Sequence, residues 1–145
     1  PADPPAGITF HETLPFDDVR QILRDADYVV CHGGTGSLIT ALREGCRVIA
    51  VPLLAGGGTR IKILEAMAHG RPVVATPLGA EGLAVEDGVH LLLGSDVEGL
   101  AEACLRLLSR PDLAGALVAN GLGLIDRRYG RNRVLRQIAR DLSRP

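Results

Sequence analysis

A chain of 145 residues is long enough for one compact domain with a hydrophobic core and too short for two of ordinary size. An apolar fraction of 46% with only 3% aromatic residues predicts a core of Leu, Val, Ile and Ala. The net charge of -1 excludes a general attraction to nucleic acid or anionic membranes, and no apolar run reaches the length of a bilayer span. Residues 1–7 lack the charged-then-apolar layout of a signal peptide, and Pro1 in place of methionine reads as the start of a cut or processed chain. Cys31, Cys46 and Cys104 are odd in number and fit neither a disulfide framework nor a zinc site, so buried free thiols in a reducing cytoplasm are expected. Basic charge rests on fifteen arginines and one lysine, Lys62.

Along the chain, residues 8–12 read as a short strand, and Asp17 or Asp18 as the N-cap of a helix through Val19, Ile22 and Leu23. The apolar run 27–31 has strand length and leads directly into a glycine-rich loop at 32–37. A helix over 38–44 stops at Gly45, and a strand follows at 47–53. A second glycine loop, 56–58, opens a helix over 59–69 that stops at Gly70, followed by a strand at 72–76. A short strand at 90–94 and helices over 97–108, 112–127 and 132–142 complete the chain. Apolar strands alternating with helices predict an α/β fold with a Rossmann-like parallel sheet covered on both faces by helices, joined by right-handed crossovers. Ligands of such sheets bind beyond the carboxyl ends of the strands, where both glycine loops fall.

Shifted by 25 residues, the sequence echoes itself, with 36–55 lying over 61–80. Gly33, Ala41, Gly45, Val48, Ala50, Pro52, Leu53 and Ala55 meet identical residues at Gly58, Ala66, Gly70, Val73, Ala75, Pro77, Leu78 and Ala80. The units 32–53 and 57–78 are therefore candidates for a duplicated βα unit within one domain spanning 1–145. Any two βα units share part of this pattern. The alignment sets Thr40 on Glu65 and Ser37 on Lys62.

The second unit carries more chemistry. Gly56, Gly57 and Gly58 leave a loop without side chains, whose N–H groups can approach a diphosphate closely. The helix beginning at Thr59 points its positive end at the same place. Lys62 in the first turn can bring its ammonium to a phosphate oxygen, and Glu65, one turn on, suits the two hydroxyls of a ribose. The same Lys and Glu also fit the solvated face of an amphipathic helix.

GGGTRIKILEAMAHGRPVVATPLGAEGL (56–83) resembles the donor-binding segment of group 1 glycosyltransferases with the GT-B architecture, and the resemblance extends to residues 128–130. It implies that Glu65 binds the ribose, that the glycine loop passes the diphosphate, and that the turn with Gly79, Glu81 and Gly82 lies near the sugar. The second glutamate that the family often carries eight residues before the first is Gly57 here, as in its glycine-loop subgroup. Residues 11–53 resemble a different branch, the C-terminal domain of MurG-like and UDP-glycosyltransferase enzymes. His32, Gly33, Gly34 and Ser37 match the loop that holds the diphosphate there, and form a candidate secondary phosphate loop. That branch's ribose-binding glutamate falls at Thr40, which has no carboxylate. Both motifs describe one slot of the sheet, so either a βα unit has been duplicated or two related domains have been joined.

Asp25-Ala26-Asp27 matches the D-x-D of metal-dependent glycosyltransferases but sits between a helix end and a buried strand, where capping or surface charge is expected. His11, His69 and His90 have no partners at ligand spacing, and no metal site is expected. Residues 127–144 carry seven arginines, and Val134, Leu135, Ile138 and Leu142 share one helical face. A basic C-terminal helix over 131–143 is thus expected, packed or touching anionic lipid or a lipid-linked acceptor. Without interleaved aromatics it does not suit nucleic acid.

Together these features imply the C-terminal donor half of a GT-B glycosyltransferase in cytoplasmic polysaccharide biosynthesis, peripheral to the inner membrane if the basic helix meets lipid. The sugar comes from a nucleoside diphosphate sugar, a substrate rather than a cofactor, and goes to a hydroxyl acceptor. The acceptor site is expected on an N-terminal domain or partner subunit. The alternatives are a non-catalytic nucleotide-sugar-binding subunit and a recombined or engineered scaffold without activity. The group 1 branch is retaining and the MurG-like branch inverting, so the stereochemical outcome stays open.

Overall fold

The computed structural model describes residues 14–30, 35–53 and 60–130, with side chains in the second stretch from Leu38 onward. Helix α1 (Phe16–Asp25) leads into strand β1 (Tyr28–Val30), α2 (Thr35–Glu44), β2 (Val48–Val51), α3 (Ile61–Ala68) and β3 (Val73–Ala75). A short helix α4 (Pro77–Ala80), strand β4 (Leu92–Leu93), α5 (Val97–Ser109) and α6 (Pro111–Leu124) follow, and a π-helical turn covers Ile125–Tyr129. The sheet is parallel throughout, in the order β1-β2-β3-β4, with Tyr28 beside Val48, Ile49 beside Val73 and Val74 beside Leu92.

Continuous apolar runs make strands covered on both faces. Every residue of β2 and β3 is buried. Ile49, Val51, Val73 and Ala75 face α2 and α3, which contribute Leu38, Ala41, Leu42, Ile63, Ala66 and Met67. Val48, Ala50, Val74 and Leu92 face the other way, onto Leu100, Ala103, Cys104 and Leu107 of α5. The α5 residues recur at i, i+3, i+4 and i+7, the spacing of one helical stripe. Helix α6 joins the two layers, with Leu117 in the second core and Gly121 against Met67 of the first.

The expected glycine stops hold. Gly45 (φ 91) and Gly70 (φ 65) end α2 and α3 in the left-handed region, where a Cβ is strained. Helix α1, by contrast, begins after Pro15 with no side-chain cap; Asp17 and Asp18 lie inside its first turn and there favour the positive helix end. Helix α2 starts at Thr35, three residues earlier than its apolar periodicity indicated, and α4 was not anticipated. The expected strand 8–12 and helix 132–142 lie outside the described residues.

At the end of α2, Glu44 receives both Arg20 (2.5 Å) and Arg24 (2.7 Å) from α1. The Arg20 hydrogen bond, followed by that of Arg24, holds the Glu44 carboxyl below its ordinary 4.5. A carboxylate depressed by folding stabilises the native state above its unfolded pKa, and that contribution is lost as pH falls through the folded one. Acid titration from pH 6 downward is expected to release α1 from α2 below the ordinary carboxylate range. In Glu44→Gln the corresponding step in thermal midpoint against pH disappears.

Candidate functional site

Because the strands are parallel, their carboxyl ends at Val30, Val51, Ala75 and Leu93 lie along one edge of the sheet. Helices α2, α3, α4 and α5 each begin beyond that edge, so their positive ends gather there. Helix α3 starts at Ile61 with Arg60 at its N-cap, which provides no side-chain cap. Lys62 is half-buried in its first turn, and Glu65 follows one turn later, also half-buried. The Oε2 atom of Glu65 is buried and has no hydrogen-bond partner among the described residues. A buried carboxylate oxygen left unsatisfied carries a desolvation penalty, and native proteins retain few of them.

Sequence reasoning passed over two residues here. Arg60 looked like one more arginine of an arginine-rich chain, yet its side chain is only 10% exposed and its guanidinium lies 3.4 Å from Glu81 Oε2. Its place between a glycine loop and an apolar helix was the available signal. Thr76 read as the last residue of a strand. It is instead 2% exposed and caps α4: its hydroxyl donates to the Leu53 carbonyl (2.5 Å) and accepts from the Gly79 N–H (3.0 Å). The Thr-Pro pair was its signal, since proline favours the first helical position after a hydroxyl cap. Thr76 thereby couples the chain leaving β2 to the segment after β3.

Gly79 is buried, and a Cβ there would stand 3.1 Å from Thr76 Oγ1 and 3.2 Å from the Val51 carbonyl. Its missing side chain lets α4 rest on the end of β2. Glu81, 69% exposed, and Gly82 (φ 78) form the turn beyond it. The Ala84 N–H donates to the Tyr129 hydroxyl (3.2 Å), so the π-helical turn fixes the far end of this segment. Arg60, Lys62, Glu65, Glu81 and Gly82 thus belong to two neighbouring segments bridged by Arg60 and Glu81. Gly56, Gly57, Gly58 and Thr59 lie outside the described residues, as do His32, Gly33, Gly34 and the side chain of Ser37.

The D-x-D carboxylates serve local contacts: Asp25 accepts from Gln21 (3.1 Å) and Asp27 pairs with Arg47 (3.0 Å). His69 Nδ1 lies 2.8 Å from the Glu65 carbonyl, and His90 Nδ1 accepts from the Glu86 N–H (3.2 Å). Among the described residues no three His, Cys, Asp or Glu side chains gather as a metal site, and no helix is long and apolar enough to cross a membrane. A cavity of about 340 Å³ between β1 and α5 is lined by apolar residues such as Tyr28, Val30, Val97 and Leu105, without charge to meet a phosphate.

The family model of glycosyl transferases group 1 matches residues 3–110. A phosphatidyl-myo-inositol mannosyltransferase of Mycobacterium leprae (strain TN) is 38% identical over 102 residues, 69% of this chain and 27% of that protein. Among solved structures, Anabaena HepE in complex with UDP superposes with a TM-score of 0.64 at 28% identity, over 72% of this chain and 29% of HepE. The C-terminal domain of the group 1 protein LpcC from Francisella tularensis gives a TM-score of 0.57 at 23% identity, over 64% of this chain and 48% of that domain. The chain spans less than half the length of each of these relatives.

Proposed function

From a chain that belongs to the group 1 glycosyl transferases and has the Rossmann-like fold of their GT-B enzymes, we propose the donor-binding part of a sugar-transferring enzyme. The observation that carries this is the buried, unsatisfied Glu65 Oε2 on the first helix beyond the glycine loop. A ribose supplies two hydroxyl donors, which is what that oxygen lacks. The diphosphate then falls toward the amino end of α3, which follows residues 56–58 and Thr59 in sequence and carries Lys62 in its first turn. Gly79, Glu81 and Gly82 border the sugar. His32, Gly33, Gly34 and Ser37 form at most a supporting loop.

The chemistry is transfer of a sugar from its nucleoside diphosphate to a hydroxyl, helped chiefly by stabilising the departing diphosphate. HepE was solved with UDP, which makes UDP the first probe, and the mannosyltransferase supports a hexose as the sugar. We place the reaction in the cytoplasm, whose reducing conditions suit the buried cysteines Cys46 and Cys104, and assign it to polysaccharide assembly. The acceptor and any catalytic base come from an N-terminal domain or partner subunit, and a lipid-linked acceptor suits the arginines of 127–144. Taken alone, the chain is expected to bind nucleotide weakly and to turn over poorly.

Titration of the 145-residue chain with UDP, GDP and ADP, followed by backbone amide NMR, tests the assignment. Shifts clustered over residues 56–65 are expected. Shifts confined to residues 32–37 would move the site to the first unit and overturn it.

A further inference from the structure

We propose that Thr76 is a positioning residue for the donor: its hydroxyl holds the chain leaving β2 and the start of α4 at the spacing that a nucleoside diphosphate sugar needs. The inference rests on the donor-binding reading above and adds to it the group that sets the two sides of the site. Among the described residues, Thr76 is the one polar side chain of the buried core, 2% exposed. Burying a hydroxyl is costly unless it finds hydrogen-bond partners there. A strand that ended here for packing alone would take valine, which has the same branched shape and continues Val73 and Val74. The hydroxyl answers a polar requirement instead.

That requirement is a junction. The Thr76 hydroxyl donates to the Leu53 carbonyl (2.5 Å) and accepts from the Gly79 N–H (3.0 Å), so one oxygen joins two backbone segments. The Thr76 N–H donates to the Val51 carbonyl (3.4 Å), and the Thr76 carbonyl accepts from the Ala80 N–H (3.1 Å), which repeats the link through the main chain. From Leu53 the sequence runs through the glycines at 56–58 to α3, with Lys62 and Glu65. From Gly79 it runs to Glu81 and Gly82. A ligand that touches both stretches binds more tightly when their spacing is fixed before it arrives, since it then has less to order. Valine at position 76 removes the junction and leaves the Leu53 carbonyl and the Gly79 N–H without that partner. The two segments then separate toward water, and the donor has to draw them together again.

The test compares Thr76→Val and Thr76→Ser in the full chain, titrated with whichever of UDP, GDP and ADP the parent binds most tightly. Titrations are run well below each melting temperature, where folding does not limit binding. Thr76→Val is expected to weaken the nucleotide about tenfold. Thr76→Ser keeps the hydroxyl and loses only a methyl, so it should stay within about twofold of the parent. A purely structural hydroxyl would lower the melting temperature of Thr76→Val and leave its nucleotide affinity at the parent value, and that result overturns the inference. So does a Thr76→Ser variant as weak as Thr76→Val. Should Thr76→Val not fold, exchange of the Gly79 amide in the parent chain carries the test, read where it is insensitive to urea and so reports local opening. Nucleotide at about ten times its Kd is expected to slow that exchange about tenfold, because it binds only the joined form. An unchanged rate overturns the inference. In each of these outcomes the parent binds nucleotide, so the donor-binding reading stands. If the parent chain binds none of the three at millimolar concentration, both fall.

Discussion

Replacing Glu65 by alanine is expected to weaken nucleotide binding about 100-fold while leaving the empty protein as stable as before, or slightly more so. Two charge-assisted hydrogen bonds to ribose hydroxyls, each worth about 1.5 kcal/mol or more, give a loss of about 3 kcal/mol, or two decades in Kd. The stability effect has the opposite sign to most substitutions near a core. Glu65 Oε2 is buried without a hydrogen-bond partner among the described residues, so the native state carries a penalty that alanine removes. Relief of about 1 kcal/mol corresponds to a rise of about 3 °C in a domain of this size. Glu65→Gln keeps the shape and one acceptor and should fall between, about tenfold weaker. Titration with UDP beside thermal melting checks both halves. A large fall in melting temperature with unchanged UDP affinity would make Glu65 a structural residue and sink the site.

Gly94→Ala is expected to be the most damaging small substitution in the fold. A Cβ at this position would lie 2.4 Å from the Leu100 nitrogen and 2.6 Å from the Gly99 carbonyl carbon. Both are backbone atoms of α5, so no side chain can rotate away. The Gly94 N–H also donates to the Ala75 carbonyl (3.0 Å), which extends the β3–β4 pairing by one residue. Alanine must push the α5 amino end off the sheet or give up that bond. Overpacking of this kind costs about 3 kcal/mol, roughly 10 °C in melting temperature. Gly115→Ala, whose added methyl meets nothing within 4 Å, is the matched control and should be neutral or stabilising on helix propensity. Equal melting temperatures for the two variants would show that α5 does not sit as closely on Gly94 as described.

The two variants separate two sources of information. The packing at Gly94 was invisible in the sequence, where the residue simply followed a short apolar run. Glu65, by comparison, was legible as a candidate, because a carboxylate one turn beyond a glycine loop and a lysine has a local pattern. What the pattern left undecided was whether Glu65 belonged to a solvated face. The burial of its Oε2 beneath neighbouring elements decides that, and burial is a property of the assembled layers. The same limit hid Arg60: linear spacing does not show that the turn after α4 brings Glu81 within 3.4 Å of a residue twenty-one positions earlier.

The alternation of strands and helices, the parallel sheet and the glycine stops at Gly45 and Gly70 were legible in the residues alone. Those follow from periodicity and from backbone conformations available only to glycine, both of which act over a few residues. The residues also place a glutamate, Glu65, on the helix after the second glycine loop. Only the packed layers decided that Thr76 ties the chain after β2 to α4, and that the Tyr129 hydroxyl accepts from the Ala84 N–H beyond that turn. They likewise decided that the Arg60 side chain is largely covered and lies 3.4 Å from Glu81. These are contacts across 20 to 45 residues of chain, fixed by how the layers stack and by which polar atoms stacking removes from water.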